Sequence, residues 1–225
     1  ITEFELIENE LYFITPGKGL MVIDTNVIYG TDSTVDQFSI YDILVIKRPP
    51  LNSPSIELLN VSDTDDYLLE RLVCYGYRYK YANNKYSATS QFKFPAFLPG
   101  AFQISYETFN NEGMRNSFNA VKLLVNSGDS DVIGVDILMK DSTDNLIKVI
   151  ERVDKVKDGI VDNTEISYVF SGNKLFNILP QSEILRLNDA VPTFANTMTR
   201  VGGRVMYSDY TEGFNMVDKN NNKFN

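Results

Sequence analysis

Tyrosine stands at every second position from 75 to 81, as Tyr75, Tyr77, Tyr79 and Tyr81, alternating with Cys74, Gly76, Arg78 and Lys80. Side chains of an extended strand alternate between two faces, so this spacing predicts a strand over Leu69–Tyr81 with one aromatic face and one mixed face. Asn83 and Asn84 tolerate positive φ, as a hairpin tip requires, and Lys85–Phe92 reads as the return strand. Arg78 and Lys80 on the opposite face put the tyrosines inward, as cross-strand packing in a sandwich core. The alternative for the same four tyrosines is an exposed platform on which bases or sugars stack. Cys74 reads as a small buried hydrophobe.

Similar patterns recur along the chain. Glu10–Ile14 is followed by the turn residues Pro16-Gly17-Lys18-Gly19 and by Leu20–Ile23, and Ile40–Ile46 reads as a buried strand. Val121, Leu123 and Val125 alternate with Lys122 and Leu124, and Ile133, Val135, Ile137 and Met139 line one face of the next strand. Leu146–Val153 and the run through Ile166, Tyr168 and Phe170 continue the series, and Val205 and Tyr207 mark a last β-like stretch. Strands separated by turn signals at roughly 8–12 residues are the pattern of a sandwich. The one helix candidate spans Gln181–Leu187, with Ser182 as its cap and Pro192 beyond it. Pro49-Pro50 and the Phe94–Gly100 segment are hard breaks, since proline cannot serve a central ladder.

Composition narrows the chemistry. The 225 residues contain no histidine, which excludes Ser-His-Asp and Cys-His catalysis and His-ligated zinc. Cys74 is the only cysteine, so no internal disulfide forms. With 21 Lys and Arg against 30 Asp and Glu, the formal charge is −9, a poor match for wrapping nucleic acid or coating anionic lipid. No apolar run approaches the roughly 20 residues that cross a bilayer. The chain opens at Ile1 and closes on the polar run Asp218–Asn225, so both ends read as cut from a longer protein.

The acidic turns at Asp63, Asp65 and Asp66, at Asp129 and Asp131, and at Asp141 and Asp144 lack the spacing of a calcium loop and read as solvated turns. Val201-Gly202-Gly203-Arg204 has neither a phosphate loop's Lys-Ser/Thr nor a dinucleotide fingerprint, and reads as a tight turn into a strand. No metal or cofactor is expected, and no catalytic residue is assigned.

Three stretches resemble a family. Tyr77–Tyr81 with Tyr86-Ser87-Ala88 and Ser90 is similar to the final hairpin of fibronectin-type-III-like modules. Gly134–Lys140 with Val149-Ile150-Glu151 is similar to their paired central strands. Asp189, Val191, Pro192 and Ala195, followed by Arg204, Tyr207 and Tyr210, resemble a longer motif, departing from it at Gly203 and Ser208. Together these resemble the muzzle, nozzle or tail stabilisation proteins of crAss-like short-tailed phages, over roughly residues 50–215. The resemblance implies an all-β protein, with two small fibronectin/immunoglobulin-like sandwich modules inserted into a larger, propeller-like domain. The divisions expected are a flanking segment 1–47, modules 48–112 and 113–180, and a return segment 181–225.

It also implies a non-enzymatic component of the virion tail around the DNA exit channel. Its partners would be copies of itself in a ring of six, neighbouring tail proteins, and DNA passing through without specific contacts, with no membrane. Ring contacts would come from loops and not from the tyrosine strand, and this chain alone, lacking its flanking domain, would be monomeric or weakly associated. The rival reading is a carbohydrate-binding or adhesion sandwich, which exposed tyrosines would favour.

Overall fold

The computed structural model describes residues 1, 3–15, 18–26, 40–62, 67–82, 84–94, 96–144, 146–172, 177–184 and 192–211. Among them the elements run β1 (Glu3–Ile7), β2 (Glu10–Ile14), β3 (Met21–Asp24), α1 (Ile40–Ile43), β4 (Ser55–Leu59), β5 (Val73–Tyr81), β6 (Ala120–Asn126), β7 (Val132–Asp141), β8 (Ile147–Asp154), β9 (Glu165–Phe170), β10 (Asn177–Ile178), α2 (Gln181–Ile184), β11 (Phe194–Val201) and β12 (Arg204–Thr211). All strand pairs are antiparallel, and the chain is all-β, as its alternating patterns predict. No helix among the described residues is long and apolar enough to cross a membrane.

The chain forms two compact units, residues 48–188 and residues 1–47 with 189–225. The larger unit is one sandwich. Its sheets are β10-β8-β7-β5 and β4-β6-β9. Between them lies a core of Tyr75, Tyr77, Val135, Ile137, Met139, Val121, Leu123, Val125 and Phe170. This corrects the division into modules 48–112 and 113–180. Strand β5 pairs with β7 along its full length, from Val73↔Asp141 to Tyr81↔Val132, and β4 pairs with β6. The prolines end individual segments without ending the core, because the chain leaves the sandwich only after Ala96, which still bonds Val73 of β5, and returns to the same sandwich at β6.

Strand β7 is buried on both faces. Val135, Ile137 and Met139 face the tyrosines, while Leu138 joins Ile147, Val149, Leu179 and Phe92 in a second apolar cluster on the outer side. A register shift against β8 changes the phase of its alternation, so that Val149 packs outward while Val153, four residues on, packs inward.

The Lys85–Phe92 return strand is replaced by a repeatedly bulged ladder. The N–H groups of Ser87, Ser90, Lys93 and Ala96 donate to the carbonyls of Tyr79, Tyr77, Tyr75 and Val73. Three residues on this segment therefore match two on β5. The Ser87 and Ser90 hydroxyls accept from the N–H groups of Tyr79 and Tyr77, each at 3.0 Å. Such bulging blunts an edge that would otherwise be open to strand addition.

In the smaller unit β1, β2 and β3 form a meander, and β11 and β12 form a hairpin whose Val201↔Arg204 pair closes over Gly202-Gly203. Gly202 has φ +63°, which fits the tight turn expected there. Ile14, Leu20, Ala195 and Met198 form its core with Tyr207 alongside. The Ile40–Ile46 strand is corrected to the single helical turn α1, followed by one bridge from Leu44 to Met21. A short apolar run fits a helix turn as well as a strand, and here it packs Ile43 against Phe13 and Met21. The Gln181–Leu187 helix is described only as the turn α2, with 185–190 outside the described residues.

Candidate functional site

The four tyrosines are interior. Tyr75, Tyr77, Tyr79 and Tyr81 are 0%, 2%, 8% and 3% exposed. Burial pushes the phenols of Tyr75, Tyr77 and Tyr79 above the ordinary tyrosine range. For Tyr77 this is partly offset by hydrogen bonds from Tyr79 and the backbone of Asn126. The Tyr75 ring meets Phe170 edge-on at 6.1 Å, and its hydroxyl has no hydrogen-bond partner among the described residues. These rings pack a core and do not form an exposed stacking platform.

The last three tyrosines also floor a cavity of about 370 Å³ at one end of the sandwich. Its walls come from Pro49, Pro50 and Leu51 on the segment entering the sandwich, and from the β6–β7 turn around Gly128 and Asp131. The Tyr81 hydroxyl donates to the Arg48 carbonyl and pins the entering segment. Arg48 lies 3.7 Å from both Asp129 and Asp131, so the carboxylates at the mouth face a guanidinium. Gly128 has φ +74°, and a Cβ there would come within 2.8 Å of Val132 and 3.2 Å of the Tyr79 ring. Only glycine fits that position. Buried Lys155 donates to the carbonyls of Gly128 and Asp129, at 3.3 and 2.6 Å, and holds the turn in place. The cavity offers aromatic rings, proline faces and a rim of amide and charged groups, chemistry suited to seating a ring or an apolar side chain.

The opposite end carries an arm, residues 97–117. It pairs with itself through the bridges Pro99↔Asn116 and Ile104↔Asn111. Phe102, Tyr106 and Phe109 on it are 76%, 85% and 78% exposed, with Phe94, Leu98 and Met114 also outward. Buried Asn116 fixes its root. The side-chain amide donates to the carbonyls of Leu68 and Arg71 at 2.7 and 2.9 Å, and its oxygen accepts from Leu98 N–H at 3.2 Å. Against the same turn, the Asp141 carboxylate accepts from Arg71 at 2.5 Å, with Lys148 at 3.9 Å. Burial pushes the Asp141 carboxyl up, but the Thr143 N–H and Arg71 outweigh it and hold it below the usual range.

The outer face of β5 holds a buried ion cluster. Arg78 pairs in register with Asp136 at 3.1 Å, reaches Glu183 of α2 at 2.8 Å, and stacks on the Tyr86 ring at 3.9 Å. Burial raises the Asp136 carboxyl above its usual range despite Arg78. Cys74, read as buried, is partly buried on this outer face, and burial raises its thiol.

In the smaller unit Arg204 and Tyr207 line an open groove with Glu8, Glu10, Tyr12 and Asp24. Burial pushes the Tyr207 phenol up to about 12. Tyr210 is half-exposed on the same strand, and Pro192 is partly buried just before β11. Asp189 and Val191, and the acidic turn at Asp63, Asp65 and Asp66, lie outside the described residues.

The structure thus brings Tyr77, Tyr79 and Tyr81 to one cavity of the larger unit, while the motif residues on β12 belong to the smaller unit. Sequence reasoning missed the Arg48–Asn52 wall, Asn116 and the arm. The density of Phe94, Phe97, Phe102, Tyr106 and Phe109 around and just after Pro95 and Pro99 was the available signal. No family model matches the chain, and no curated protein matches it.

Proposed function

We propose that the chain is a non-enzymatic structural part of a phage virion tail, built around the DNA exit channel and working by self-assembly into a ring. The observation that carries this reading is the division of its aromatic residues. Those in β5 are spent on the core, while Phe102, Tyr106 and Phe109, each more than three-quarters exposed, sit on an arm suited to protein contact. The likeness of three stretches to tail muzzle and nozzle proteins supplies the virion setting. A net charge of −9 suits a wall past which DNA moves, since cations are what hold phosphate. The buried tyrosines count against the carbohydrate-binding alternative, which depended on their exposure.

Immunogold electron microscopy of the phage particles, with antibody raised to this chain, tests the reading. Label at the tail supports it. Label confined to a fibre projecting from a head vertex, or absent from particles, contradicts it.

A further inference from the structure

Residues 177–184 lie as a strap across the outer face of the four-stranded sheet. Strand β10 begins it and pairs with β8 only at Asn177↔Val149 and Ile178↔Lys148. The Leu179 N–H then donates to the Ile147 carbonyl at 2.9 Å, and the Leu179 side chain is buried with Leu138, Ile147 and Val149, with Phe92 alongside. Gly76 lies under the Phe92 ring, where a Cβ would come within 3.3 Å of it. Beyond Pro180, Glu183 of α2 reaches Arg78 of β5 at 2.8 Å. The strap therefore runs from beside β8, past β7, to β5.

Its attachment is slight beside that of the strands it covers. Among residues 177–180 only Leu179 is buried, and Ile178 is 57% exposed. By contrast β7 is paired with β5 from Val73↔Asp141 to Tyr81↔Val132, and with β8 from Gly134↔Asp154 to Lys140↔Ile147. A segment held by one leucine, a two-residue ladder and one ion pair opens while the sandwich stays folded. The face beneath it is a shaped acceptor. Without Glu183, Arg78 and Arg152 share the single carboxylate of Asp136, at 3.1 and 3.9 Å. Leu138, Ile147 and Val149 form an apolar patch on the same face. Such a face takes an apolar side chain and, four residues later, a carboxylate. Its occupant in the structure is this chain's own Leu179 and Glu183.

We infer that copies of the chain exchange straps, the Leu179–Glu183 segment of one copy seating on the β5–β7–β8 face of another. The same contacts form within one copy and between two, so exchange costs little and concentration sets the balance. Nine residue steps separate Phe170, the end of β9, from Leu179, which gives a reach of up to about 30 Å when extended. Strap and acceptor face are different patches, so exchange either pairs two copies reciprocally or runs head to tail and closes a ring. It gives the self-assembly reading above a specific contact, and rests on that reading only for its place in a ring.

Sedimentation of the 225-residue chain tests it with two charge reversals, Arg78→Glu and Glu183→Arg, and with both in one chain. Each single variant sets like charges together, within its own copy and between identical copies. In an equal mixture the strap of each variant fits the face of the other. The mixture should associate about tenfold or more tightly than either variant alone. The chain carrying both changes restores the pair within one copy and should behave as wild type. A mixture no tighter than its components overturns strap exchange. If those samples still gain mass with concentration, copies join through another face and the self-assembly reading stands without this contact. A doubly changed chain that behaves like the single variants overturns the Arg78–Glu183 pair as the latch. If Arg78→Glu does not fold, the otherwise intact chain with a photo-crosslinker at position 178 serves instead, as isotope-labelled and unlabelled copies mixed at about millimolar concentration. Crosslinks from position 178 of a labelled copy to residues 147–149 of an unlabelled one support exchange, and any other pattern overturns it.

Discussion

Strand β5 and the arm at 97–117 are both rich in aromatic residues, and they treat them in opposite ways. In β5 the rings are interior because the strand has neighbours on every side. Strand β7 flanks one edge, the bulged 85–96 segment flanks the other, and β6 and β9 cover the aromatic face. Beyond its root at Asn116 the arm is bridged only to itself among the described residues, and its rings find no second layer there. Aromatic content therefore does not tell core from contact surface. The number of covering layers does.

The largest effect should separate the two regions directly. Tyr75→Ala should lower stability by about 3–5 kcal/mol in denaturant unfolding, the cost of emptying a full aromatic site. Loss below 1 kcal/mol would mean that the strand is not core. Replacing Asp141 by Asn should loosen the turn against which the arm is rooted, costing about 1.5–3 kcal/mol at neutral pH. Its folded carboxyl lies below the usual range. Its contribution is therefore present above the ordinary carboxylate pKa and lost as pH falls through the depressed folded value. Unfolding curves of wild type and variant should converge in acid, and a constant gap would contradict that assignment. Asp136 works in the other direction, since its raised folded value makes its contribution fall as pH rises from the ordinary carboxylate value through the folded one.

Tyr75→Phe should stabilise the chain by about 1 kcal/mol, because it deletes a buried hydroxyl with no partner among the described residues. A loss on this change would show that the hydroxyl is satisfied. The smallest effect belongs to the arm. Phe102→Ser with Phe109→Ser should shift stability of the dilute chain by no more than about 0.5 kcal/mol per site. A larger loss would place these rings in the fold and not at its surface.

Much of the strand content could be read from residue order, because alternation reports which face a side chain takes. Strands β5 to β9 lie where Tyr75–Tyr81, Val121–Val125, Val135–Met139, Val149 and Ile166–Phe170 put them. Alternation does not report which strand lies alongside. The pairing of β5 with β7 spans the arm and β6, so the proline break at 94–100 looked like a domain boundary. Strand β4 was hidden between Pro54 and a polar turn, and β11 by its polar run Asn196-Thr197 and Thr199-Arg200. The cavity draws on Arg48, Tyr81, Gly128 and Asn163, residues that only the fold brings together. Alternation puts Arg78 only on the face opposite the tyrosines. Its burial depends on Asp136, Tyr86 and Glu183, from three other segments.

The central claim is that one aromatic segment is closed core and the other is an open contact surface. Amide hydrogen exchange of the chain, followed peptide by peptide at low and high protein concentration, tests it most directly. Peptides covering Val73–Tyr81 should exchange slowly and at the same rate in both samples. Peptides covering 97–117 should exchange fast when dilute and slow down when concentrated. Rapid exchange in β5, or an arm whose rate ignores concentration, would contradict the account.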